Sequence, residues 1–144
     1  MSARDDTAGD VPGRRRLEWA WRWGPVLLWM AGIFLFSSLG RPLGPVSDSS
    51  HSGWIGRAAH ALEYAGLAAL TLRALGARQA RSYVLALLIT LGYALSDEVH
   101  QALVPGREFA LSDLAIDTAG ALAALGLAWL GRTFHWIYPR SSVS

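Results

Sequence analysis

The chain has 144 residues, 52% of them hydrophobic and 17% charged, and its thirteen basic residues are all arginine. Against eleven acids they leave a formal net charge of +2, too small and too scattered to make a nucleic-acid surface. With no cysteine, disulfides, thiolate metal ligands and cysteine nucleophiles are excluded.

The length suits one domain. The mean hydropathy of +0.26 averages polar ends and a polar loop with four apolar segments. Each segment is near the ~20 residues that cross a bilayer. Residues 1–16 form a polar head in which Asp5, Asp6 and Asp10 stand among glycine and proline with little to bury, so a disordered cytoplasmic head is expected. Arg14, Arg15 and Arg16 precede Trp19, Trp21 and Trp23, the pattern of a helix entering a membrane. The uncharged run from Trp23 to Leu39 is the first helix, with Pro25 near its start, where proline is tolerated. It exceeds a signal-peptide core and more apolar segments follow it, so it reads as retained.

Gly40–Gly53, with Pro42, Gly44 and Pro45, reads as an irregular loop. The second helix is expected from about Arg57 to Leu75. His60, Glu63 and Tyr64 share one of its faces, and Ala61, Ala65 and Ala69 form a small-residue row suited to close packing in lipid. After a turn over Arg73–Arg81, the third helix runs from about Ser82 to Leu103. Thr90, Tyr93, Asp97 and Gln101 fall on one stripe, with Glu98 beside it. Pro105 and Gly106 stand in the order of a type II turn. The fourth helix starts near Ser112 or Asp113 and ends near Gly131; Asp113 and Asp117 lie four apart on a stripe continued by Gly120, Ala124 and Ala128.

The fold class expected is all-α: an integral membrane four-helix bundle. Residues 17–133 form the transmembrane domain and residues 134–144 a short cytoplasmic tail. Ten arginines lie in or beside the head, the Arg73–Arg81 turn and the tail; Arg41, Arg57 and Arg107 lie in the other two loops. The positive-inside rule therefore puts both termini in the cytoplasm. His60, Glu63, Asp97, Glu98, Gln101, Arg107, Asp113 and Asp117 then gather at the outer ends of helices two to four.

Ionisable groups at the ends of membrane helices are costly and mark a site by default. His60 is the candidate proton carrier, with Asp97 and Glu98 as its acidic partners in a candidate catalytic set. Arg57, Glu63, Tyr64, Gln101, Arg107, Asp113 and Asp117 form a candidate ligand-binding set. In it Arg107 clamps an anion, Gln101 orients a neighbour, and the two aspartates set the local field. Structural roles stand beside these: Asp113 as a helix cap, Arg107 as an interhelical clip, Tyr64 as an interfacial anchor. No metal or cofactor is expected, since His60-x-x-Glu63 reverses the Glu-x-x-His order of di-iron bundles. No nucleophile motif is present. A proton or ion path ranks last, because only Thr71 and Thr90 continue the polarity toward the cytoplasm.

Phe36-Ser37-Ser38, Arg57-x-x-His60-x-x-Glu63-Tyr64-x-x-Leu67, Ser96-Asp97-Glu98-x-x-Gln101-x-x-Val104-Pro105-Gly106-Arg107 and Ser112-Asp113-x-x-x-Asp117-Thr118-x-Gly120 occur in that order. Together they resemble the VanZ-like family of bacterial membrane proteins, over about residues 34–131. Arg57 stands where many members have lysine, and Asp117 where asparagine is common. The resemblance implies a multi-pass protein of the bacterial cell membrane, and its namesake is associated with low-level teicoplanin resistance. The expected function is to bind or act on a cell-envelope ligand at the outer leaflet, a lipid-linked cell-wall precursor or a glycopeptide, with the lipid bilayer as the other partner. The alternative is an acid/base hydrolase or transferase acting on a lipid-linked phosphate.

Overall fold

A computed structural model describes residues 12–38, 50–104 and 109–137. They form four α-helices and, among the described residues, no strand: α1 Pro12–Ser38, α2 Ser50–Leu75, α3 Ala80–Ala102 and α4 Leu111–Ile137. The expectations for residues 1–11, most of the loop after α1, the Pro105-Gly106 turn and residues 138–144 fall outside the described residues.

Three helices begin or end further out than their apolar runs. Pro12–Arg16, grouped by composition with a disordered head, form the start of α1; proline fits the first helical position because its φ is already helical. Ser50–Gly53, expected in the loop, belong to α2, and α4 continues into the expected tail as far as Ile137. Apolar periodicity marks where a helix must bury a face, whereas backbone hydrogen bonds continue past it wherever polar side chains permit.

The longer α1 puts Pro25 in mid-helix. Proline has no N–H, so the Trp21 carbonyl one turn earlier loses its intrahelical donor. The Arg73 guanidinium, in the last turn of α2, donates to that oxygen at 3.0 Å. A break in one helix is thus mended by the end of the next. At the same end, the Arg132 guanidinium donates to the Ala77 carbonyl at 3.0 Å and lies 5.9 Å from the Trp129 ring, tying α4 to the turn between α2 and α3.

The Trp29 indole N–H donates to the Glu63 carbonyl at 2.8 Å, and the Tyr93 hydroxyl to the Met30 carbonyl at 2.6 Å. With the Trp21–Arg73 contact, the first makes α1 antiparallel to α2; the second, with the bond from Ser37 to Asp97, makes α1 parallel to α3. Helices α2 and α3 each pack against all three others, α2 the more extensively, while α1 and α4 are not in contact among the described residues. The most extensive interface of α2 is with α4. There Gly120 meets the Ala61 backbone so closely that a Cβ would lie 2.8 Å from the Ala61 carbonyl carbon and closer still to its oxygen. Ala121 and Leu125 of α4 cluster with Ala68 and Leu72 of α2.

The expected small-residue rows hold only over their first steps. Ala69 and Ala128 are exposed. A strict four-residue step over-rotates by about 40° at 3.6 residues per turn, so such a row leaves the interface within three steps.

Helices α3 and α4 are long and apolar enough to cross a membrane. Their large apolar residues face outward: Val84, Leu85, Leu88 and Leu95 on α3, Leu122, Leu127 and Leu130 on α4. The buried polar residues are Ser37, Thr71, Ser82, Thr90, Asp97, Glu98, Gln101 and Asp117. Large apolar side chains outside, with polar groups buried among an apolar core, depart from the soluble pattern in the way expected of helices that face lipid.

Candidate functional site

The sequence stripe on α3 turns one carboxylate into a junction of three helices. Asp97 is only 4% exposed. Its Oδ1 accepts a hydrogen bond from the Ser37 hydroxyl of α1 at 2.6 Å. Its Oδ2 accepts from the Tyr64 hydroxyl of α2 at 3.2 Å and from the Gln101 amide, one turn further along α3, at 2.8 Å. Among the described residues its partners are hydroxyls and an amide rather than a cation. Three donors compensate a carboxylate that would otherwise be costly to bury.

A second centre joins α2 to α4. His60 Nδ1 lies 3.3 Å from Asp117 Oδ1, and neither atom has another partner among the described residues. The Asp117 side chain is 3% exposed and that of His60 21%. Gly120, one turn after Asp117, and Ala61, next to His60, bring the two backbones close enough for the pair to meet. A carboxylate facing Nδ1 favours the proton on that nitrogen, leaving Nε2 as the basic nitrogen at the accessible edge. The arrangement can move a proton or hold a hydrogen-bonding ligand.

The sequence reading paired His60 with Asp97 and Glu98; in the fold its partner is Asp117. Glu98, 2% exposed, accepts from the Ala110 backbone N–H at 2.6 Å, so it fastens the end of α3 to the approach of α4. Asp113 sits in the first turn of α4, where a negative charge meets the positive end of the helix dipole. Its backbone N–H bonds the Ala110 carbonyl, so it lies inside the helix rather than at the cap position. Arg57 is exposed and Glu63 partly buried, both on α2. Arg107 lies outside the described residues. Among the described residues no group of three or more His, Cys, Asp or Glu side chains is placed to hold a metal ion.

Three residues of this end escape the candidate sets. Ser37 is a direct ligand of Asp97. Ser38 Oγ lies 3.0 Å from His100 Nε2, and the His100 ring stacks near Phe34 at 4.5 Å. The available signal was the Phe36-Ser37-Ser38 motif closing α1, which has no charge to attract notice. Deeper in the bundle Thr71 and Thr90 are fully buried, and their hydroxyls have no hydrogen-bond partner among the described residues.

Residues 22–132 match the VanZ/LLP1 family model. That span includes every candidate residue, the whole of α2 and α3, and most of α1 and α4. No curated protein and no solved structure matches the chain.

Proposed function

The chain belongs to the VanZ/LLP1 family, and from that premise we propose that it is a multi-pass protein of the bacterial cell membrane engaging a cell-envelope ligand at the outer leaflet. All four helices span the bilayer in this reading. Both termini are cytoplasmic, following the excess of arginines around the α1 start, the α2–α3 turn and the tail. Ser37, His60, Asp97, Gln101 and Asp117 then occupy the opposite, outer end. The ligand is a lipid-linked cell-wall precursor or a glycopeptide, and the physiological outcome is reduced susceptibility to teicoplanin.

The observation that carries the reading is the His60–Asp117 pair. It is the buried carboxylate whose partner is both chargeable and accessible, whereas Asp97 and Glu98 are enclosed by donors. Removing an imidazole held this way costs a ligand its partner without opening a core cavity. The test is teicoplanin susceptibility of cells producing wild type, His60→Gln or Asp117→Asn, with membrane abundance measured on the same cells. Protection by wild type and its loss in equally abundant variants supports the proposal. Equal protection by all three, or none from well-produced wild type, overturns it.

A second reading draws on the same pair. Asp117 orients the imidazole and His60 carries the proton in hydrolysis or transfer on a lipid-linked phosphate. It requires turnover of such a substrate by the purified protein in detergent, abolished by His60→Gln.

A further inference from the structure

The opposite end of the bundle holds a different kind of site. The turn from α2 to α3 closes through Gly76, at a φ of +81°, where a side chain would be strained. Arg22 of α1 reaches the turn: a Cβ on Gly76 would lie 3.6 Å from its Nη2. A cavity of about 640 Å³ opens there between α1, the turn and α3, lined by Arg22, Arg78 and Arg81 together with Ser82, Leu75 and Leu85.

Three features of this cavity suit an anion. First, the guanidinium groups of Arg22, Arg78 and Arg81 have no ion pair or hydrogen bond among the described residues. Arg73 and Arg132 differ, each holding a backbone carbonyl. The nearest acid along α1, Glu18, forms no ion pair with Arg22. Three like charges around one cavity repel unless something neutralises them. Second, α3 begins at the cavity with Gln79 as its N-cap, no side-chain capping bond and no acid in its first turn. Among the described residues no side chain caps its first N–H groups and no acid of its first turn faces the positive end of its dipole. Third, Ser82 is 7% exposed, lines the cavity, and its hydroxyl has no partner among the described residues.

We infer that Arg22, Arg78, Arg81 and Ser82, at the N-terminus of α3, form a binding site for a phosphate group. Guanidinium groups donate to phosphate oxygens in pairs, the Ser82 hydroxyl adds a donor, and the helix start favours the charge. Leu75 and Leu85 provide an apolar wall on the lipid side, and the exposed Trp19 and Trp21 place this level at a membrane interface. The phosphate can be that of an anionic lipid headgroup or a free anion from solution. The site is independent of the role proposed for the other end.

The test uses the full chain in detergent, titrated separately with phosphatidylglycerol, phosphatidylcholine and inorganic phosphate, with binding read by native mass spectrometry. The anionic lipid is expected to bind in preference to the zwitterionic one. The Arg78→Gln/Arg81→Gln variant should weaken this roughly thirtyfold, the loss of two guanidinium groups beside an anionic headgroup, and Arg78→Lys/Arg81→Lys should recover part of it. Melting temperatures in lipid-free detergent identify any variant that fails to fold. In that event Ser82→Ala, which removes one donor and no charge, should still weaken binding. Saturation by inorganic phosphate alone, lost in the glutamine variant, supports the site with a soluble ligand. Binding of neither phosphatidylglycerol nor inorganic phosphate, or binding of either one equally by wild type and a folded glutamine variant, overturns it.

Discussion

Adding one methyl group at Gly120 tests the packing that brings His60 to Asp117. In Gly120→Ala the Cβ would lie 2.8 Å from the Ala61 carbonyl carbon and 2.9 Å from its Cα, where ordinary contact begins at 3.4 Å. The obstacle is backbone, so no rotamer relieves it, and α2 and α4 must part by at least about 0.6 Å. Overpacking of this kind costs about 1–3 kcal/mol. Alanine recovers about 1 kcal/mol over glycine in helix propensity, so the net effect is a loss of up to about 2 kcal/mol. Two controls share the chemistry but not the clash. Gly126→Ala, on the same helix with nothing within 4 Å, should be neutral or stabilising. Gly66→Ala meets the Trp29 ring at 2.8 Å, a side chain that can turn aside, and should fall between the two. Thermal unfolding of the three variants in one detergent reads the ranking. A Gly120→Ala variant melting at or above Gly126→Ala would refute the close packing of α2 on α4. If the His60–Asp117 pair is the functional centre, Gly120→Ala should also weaken protection against teicoplanin, because the 3.3 Å pair stretches.

Arg73→Met should cost about 1 kcal/mol by leaving the Trp21 carbonyl without a donor. Pro25→Ala in the same background should cancel that cost, since residue 25 then supplies the missing N–H; a double-mutant cycle on melting free energy that shows simple additivity would count against the mended-break account. Ser37→Ala and Tyr64→Phe each remove one donor from Asp97 and should cost about 1–2 kcal/mol. Because they share a carboxylate the double variant should deviate from the sum, and strict additivity would show that the junction does not act as a unit. The absence of native cysteine gives a clean background for topology. Leu103→Cys, at the polar end, should react with an impermeant maleimide added to intact cells, and Ala77→Cys only after permeabilisation; the reverse pattern would invert the proposed orientation.

Helix number and order, the α3 stripe carrying Thr90, Asp97 and Gln101, and the family are legible in the sequence alone. Each rests on a local or near-local signal: apolar run length, the 3.6-residue period, and short motifs in a fixed order. The partners are not legible, because they depend on which helices touch and at what rotation. His60, Glu63 and Tyr64 share a face by spacing, yet Tyr64 turns to Asp97 on α3 while His60 turns to Asp117 on α4. Only the central position of α2, in contact with three helices at once, separates them. Ser37 and the Pro25–Arg73 repair were hidden for the same reason: a neutral hydroxyl and a missing N–H acquire meaning only when a group from another helix arrives at hydrogen-bonding distance. Spacing along one chain limits which side chains can share a face; the approach of the backbones, set here by Gly120 against Ala61, decides which of them meet.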